Sequence, residues 1–146
     1  MAPEGMVHAL NRVREWLTPA GRLVDLRPTP ETAILEVHLA SGPVAVGRVV
    51  DLEGQAGPQR RHALAEAAAA EAVARGWFAL EERHEITFRR YAASAAEMGD
   101  YVRTKWTGGA LETGALRRAE ALLRTEPDAP LCVREQVAIA RLRPLG

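Results

Sequence analysis

The chain has 146 residues, 47% of them hydrophobic but only 5% aromatic, and its nineteen basic and nineteen acidic side chains leave a formal net charge of zero. That length suits a single domain over residues 1–146 with a core of Leu, Val and Ala, thinly anchored by Trp16, Trp77, Phe78, Phe88 and Trp106. Zero net charge removes the long-range field that gathers nucleic acid or an anionic membrane surface, so neither is expected as a partner.

Met6, Leu10, Val13 and Leu17 recur at helical spacing, Pro19 and Gly21 stop the helix, and Leu23, Val24 and Leu26 open a buried strand. Residues 33–39 alternate as a strand that includes His38, Ser41-Gly42-Pro43 marks a turn, and residues 44–50 complete a β-hairpin. A Gly/Pro-containing loop leads to an alanine-rich helix over 59–75, stopped by Gly76, whose apolar stripe is Leu64, Ala68, Ala72 and Val73. Residues 80–91 read as a long strand with charges on both faces. Two short helices over 95–105 and 115–123 flank Thr107-Gly108-Gly109, and a final strand covers 132–142.

The residues Val13-Arg14-Glu15-Trp16-Leu17-Thr18-Pro19-Ala20-Gly21-Arg22-Leu23-Val24-Asp25 resemble the segment of class I S-adenosylmethionine-dependent methyltransferases in which a helix leads through Leu-x-Pro-Gly-Gly into the fifth strand of a Rossmann-like sheet. Ala20 stands where that family has its first Gly, and Gly21 remains available for a positive φ. The resemblance implies an α/β (or α+β) fold: a mixed sheet of about five strands with flanking helices, like the second half of a Rossmann-like methyltransferase, carrying an inserted β-hairpin. It also implies that the last two long strands pair antiparallel at a sheet edge.

The family's cofactor machinery, a Gly-rich loop after the first strand and an acidic residue ending the second, lies upstream of this segment. The glycine pairings here are Ser41-Gly42-Pro43, Gly54 to Gly57 and Gly108-Gly109, and none joins an apolar strand to a helix as a nucleotide cradle must. The resemblance therefore implies a methyltransferase-like protein that binds no S-adenosylmethionine alone and is inactive alone. It would act as a non-catalytic partner or a small-ligand binding module, as a homodimer or in complex with a methyltransferase. A second reading is the substrate-side subunit of a split methyltransferase, with S-adenosylmethionine held by the partner's half. A third is an independent α+β dimer with a ligand cavity inside each chain.

Six residues are candidates for contact with a small molecule. Asp25 and Arg27 would lie beyond a strand end, where ligands of open α/β sheets bind, although contacts with backbone groups at the turn or with neighbouring charges are the preferred account of them. Arg89 and Tyr91 offer a cation and a phenol at the end of the long strand, and surface charge explains them as well. Tyr101 and Trp106 flank the Thr107-Gly108-Gly109 loop, as an aromatic lid or as a buried anchor. No catalytic residue is assigned, because no Ser/His/Asp or Cys/His set stands out. No metal site is expected either: His8, His38, His62 and His84 share no ligand spacing, and Cys132 between Leu131 and Val133 reads as a small apolar core residue. One cysteine excludes an intramolecular disulfide, and the N-terminus lacks the basic flank and apolar run of a signal peptide, so a reducing cytoplasm is the expected location.

Overall fold

The computed structural model describes residues 3–146. Helix α1 (Pro3–Trp16) is followed by strands β1 (Leu23–Pro28), β2 (Ile34–Leu39) and β3 (Gly42–Asp51), helix α2 (Pro58–Ala74) and strand β4 (Phe78–Ala92). Helix α3 (Ala95–Lys105), strand β5 (Gly109–Leu111), helix α4 (Ala115–Thr125) and strand β6 (Leu131–Pro144) complete an α/β fold of four helices and a six-stranded antiparallel sheet. Each expected element is present within a few residues. The addition is β5, which forms where a loop was expected because Gly109, Ala110 and Leu111 pair with Asp51, Val50 and Val49.

Local chemistry explains most boundaries. The turn after α1 closes through hydrogen bonds from Leu17 N–H to the Arg14 carbonyl (3.2 Å) and from Gly21 N–H to the Thr18 carbonyl (2.8 Å). Gly21 keeps a negative φ, so the turn makes no use of the freedom glycine offers there. At the end of α2, Gly76 takes φ +71°, its N–H donates to the Val73 carbonyl at 2.9 Å, and Trp77 N–H donates to the Ala72 carbonyl at 3.1 Å. This is the Schellman arrangement, which satisfies carbonyls the helix itself leaves open. At the start of α3, the Ser94 hydroxyl accepts from Glu97 N–H at 3.1 Å.

Among the described residues two compact units emerge, one comprising residues 3–30, 60–86 and 137–146, the other residues 31–59 and 87–136, with β4 and β6 each giving residues to both. In the first unit β1 pairs antiparallel with β6, from Leu23↔Leu142 to Pro28↔Val137. Ala72, Phe78 and Leu142 form its buried centre, with Leu10, Leu17, Leu23, Val73 and Trp77 packed around them. The stripe expected on α2 is where the helix packs, Ala68 and Ala72 being buried and Val73 half-buried. The charges of β4 in this unit are consumed in pairs: Glu81 accepts from Arg22 at 2.8 Å and lies 3.2 Å from Arg141 and 3.4 Å from Arg143.

In the second unit β2 and β3 form the expected hairpin, and β2 also pairs antiparallel with β6, from Ile34↔Arg134 to Val37↔Leu131. Leu35, Val37, Leu131 and Val133 share one face of this sheet and bury Met98 and Val102 of α3 and Ala115 and Ala119 of α4.

Three expectations need correction. β1 is only partly buried, because it stands at the end of the strand order with Val24 61% and Leu26 64% exposed. Trp16 is 74% exposed at the last position of α1, with the Arg12 guanidinium 6.0 Å from its ring centroid, so it anchors no core. Phe88 is 48% exposed on β4. The core anchors are Phe78, which is buried, with Trp77 and Trp106 half-buried beside the two cores.

Candidate functional site

In the first unit, strand alternation turns Asp25 and Arg27 away from the exposed Val24 and Leu26. They line a cleft of about 310 Å³ whose apolar wall comes from Ala69, Ala70 and Val73 of α2 and Ala140 and Leu142 of β6. The alanines of α2 keep that wall low and leave room between helix and strands. Arg27 forms an ion pair with Asp25, and Arg83 of β4 reaches across to Glu66 of α2 at 2.9 Å and to Glu85 at 3.1 Å.

The electrostatics of the cleft differ at its two guanidinium groups. Burial pulls Arg27 below its ordinary value and the like charge of Arg83 adds to this, while Glu66 opposes both. Hydrogen bonds from Arg83 to Glu66 and Glu85 hold the Arg83 guanidinium above its ordinary value. A guanidinium carries five N–H donors, and one carboxylate takes at most a bidentate share of them. Arg27 therefore keeps donor capacity beside an apolar wall, which suits a small molecule with an apolar body and one anionic group.

The other four candidates belong to the second unit. Arg89 and Tyr91 are exposed on β4. Tyr101 packs against the core from α3, and the Arg90 guanidinium lies 5.0 Å from its ring centroid. Trp106 ends α3, its N–H donating to the Val102 carbonyl at 3.0 Å, and its side chain packs on the same core. The loop that follows continues directly into β5, whose pairing with β3 ties down Gly109.

The second unit holds one further group of chemistry-bearing residues, which the sequence reading did not assemble. Glu36 and His38 are two apart on β2 and share the face opposite Leu35 and Val37. Cys132 of β6 is the register partner of Glu36. Glu36 Oε1 accepts from Arg134 Nε at 2.6 Å, Glu36 Oε2 lies 3.1 Å from His38 Nε2, and His38 Nε2 lies 3.6 Å from Cys132 Sγ. Glu36 and Cys132 are buried and His38 is partly open. Burial acts to raise the Glu36 carboxyl, but hydrogen bonds from Arg134 and His38 outweigh it and hold the group below the usual carboxylate range. Burial and the Glu36 charge push the Cys132 thiol up, with Arg89 and Arg134 pulling the other way. Cys132 is thus buried as expected. A Glu-x-His pair on a strand was the signal available in the sequence, yet nothing there revealed which strand lies alongside.

Among the described residues, no helix is long and apolar enough to cross a membrane. Comparison with family models, curated proteins and solved structures finds no match to this chain.

Proposed function

We propose that this protein is a non-catalytic small-ligand binding module of the cytoplasm, taking up a compact molecule with an apolar body and one anionic group in the cleft between α2 and the β1 and β6 strands. The observation that carries the reading is Arg27: a partly desolvated guanidinium with donors to spare, beside an apolar wall of small residues. The exposed Val24 and Leu26 on a terminal strand support self-association as a homodimer, which sedimentation of the purified chain measures.

Titration with anilinonaphthalene sulfonate, an aromatic body with one sulfonate, tests the cleft by fluorescence. One saturable site is expected, weakened by about ten-fold or more in Arg27→Gln, the size of a lost charge-assisted hydrogen bond. Ala69→Leu fills the cleft from a helix that tolerates leucine and should abolish the signal while leaving the near-ultraviolet circular dichroism unchanged. Saturable binding that ignores both substitutions, or none at all, would sink the proposal.

The likeness of residues 13–25 to methyltransferases supports a second reading, the substrate side of a split enzyme, and the α1, turn and β1 order is the observation that favours it. The registered strand pairs are antiparallel, whereas a Rossmann-like sheet is built on parallel strands. Calorimetric titration with S-adenosylmethionine separates the readings, since heat of binding by the chain alone would put methyl transfer ahead.

A further inference from the structure

We propose that Glu36, His38 and Cys132 form a zinc site, with Glu36 Oε2, His38 Nε2 and Cys132 Sγ as ligands and a fourth position open to water. The three ligand atoms lie within 4.8 Å of one another. Tetrahedral zinc, with Zn–S of ~2.3 Å and Zn–N of ~2.0 Å, sets sulfur and nitrogen about 3.5 Å apart, and a nitrogen and a carboxylate oxygen about 3.4 Å apart. The distances found are 3.6 Å from Sγ to Nε2 and 3.1 Å from Nε2 to Oε2, so these two pairs already stand within a few tenths of an ångström of what the ion needs.

A Cys-His-Glu catalytic triad is the competing use of these residue types, and the geometry disfavours it. A triad histidine faces its nucleophile with one ring nitrogen and its orienting carboxylate with the other. Here a single nitrogen, Nε2, faces both Sγ and the carboxylate. One nitrogen, one sulfur and one oxygen converging on a common point is the pattern of coordination. The thiol is also buried, out of reach of a substrate, whereas a metal ion can arrive past the partly open His38, which borders a surface depression with Ala40, Glu126 and Pro130.

The surroundings fit a metal centre in two further respects. Arg134 occupies Glu36 Oε1 and leaves Oε2 to the contact with His38 Nε2 that the ion would replace, holding the carboxylate as an outer partner of a ligand does. Pairing of Glu36 with Cys132 across β2 and β6, and the hydrogen bond from His38 N–H to the Pro130 carbonyl at 2.8 Å, hold the backbone of all three ligands, so the site is preorganised. On binding, the thiol proton passes to solvent and the imidazole proton resides on Nδ1, leaving thiolate, neutral imidazole and carboxylate around the ion.

The test is titration of chelator-treated full-length protein with cobalt(II), then zinc. One equivalent of cobalt should give the visible absorption of a tetrahedral ion and a near-ultraviolet thiolate-to-cobalt charge-transfer band, both lost as zinc displaces it. Cys132→Ser should remove the charge-transfer band. His38→Asn, at a partly open position that the fold tolerates more readily, should weaken zinc binding by about 100-fold or more. Arg134→Gln should weaken it by about 10-fold or more. Absence of the charge-transfer band at one equivalent, or tetrahedral cobalt bound undiminished by His38→Asn, overturns the proposal. Far-ultraviolet circular dichroism of each metal-free variant confirms folding, and if Cys132→Ser does not fold, His38→Asn alone decides.

Discussion

Replacing Gly47 by alanine probes how closely α4 lies against the hairpin. A Cβ on Gly47 would sit 2.4 Å from Ala115 Cβ and 3.2 Å from Ala115 Cα, with Glu112 Cγ at 3.4 Å. Carbon atoms in contact prefer about 3.5–4.0 Å, so the methyl overlaps by more than an ångström with atoms fixed to the first turn of α4. No flexible side chain can swing aside. Relief requires α4 to move, and that movement strains the 2.6 Å hydrogen bond from Arg118 Nε to the Val46 carbonyl.

Overpacking of this kind costs about 1–3 kcal/mol. Alanine recovers about 0.4–1 kcal/mol by restricting the unfolded chain. A net loss of about 0–2.6 kcal/mol should follow, read as a lower urea midpoint at an unchanged slope by tryptophan fluorescence. The double variant Gly47→Ala with Ala115→Gly removes the clashing methyl and should be more stable than the two single effects predict, with a coupling of about 1 kcal/mol or more. A gain in stability in Gly47→Ala, or strict additivity in the double variant, would refute the packing argument.

Other substitutions test the remaining supports of the fold. Leu35 is fully buried in the core of the second unit, and Leu35→Ala should cost about 2–5 kcal/mol by denaturant titration, a loss under 1 kcal/mol contradicting its central place. Ser94→Ala removes the acceptor of Glu97 N–H at the start of α3 and should cost about 1 kcal/mol, with no effect if the cap is idle. Burial holds the Glu135 carboxyl above its ordinary value, so the folded chain binds more protons than the unfolded chain between the two values and stability falls as pH rises through that window. Glu135→Gln should therefore raise the thermal midpoint at pH 7 and lose that advantage below about pH 4. An equal gain in acid would show that the substitution acts through packing instead of charge.

Within this chain the helices were the most legible elements, because their signals are local. The stop at Gly76, the alanine stripe of α2 and the turn at Pro19 act within a few residues, and the backbone there follows from capping, spacing and propensity alone. The strand segments 33–39 and 44–50 were equally readable from alternation and a Gly-containing turn. Asp25 and Arg27 were also within reach, since alternation on β1 already sets them on the face opposite Val24 and Leu26.

What only the tertiary structure decided is which strands lie side by side. Antiparallel pairing of β2 with β6 joins residues almost a hundred positions apart, and no local preference encodes that choice. It turned Cys132 from an isolated small residue into a neighbour of His38 and Glu36, and it set Arg134 against the Glu36 carboxylate. The three residues of β5 are likewise a strand only because β3 offers them an edge. Composition, spacing and caps thus determined the elements, while long-range pairing, which minimises unpaired backbone and buried apolar loss over the whole chain at once, determined the sites.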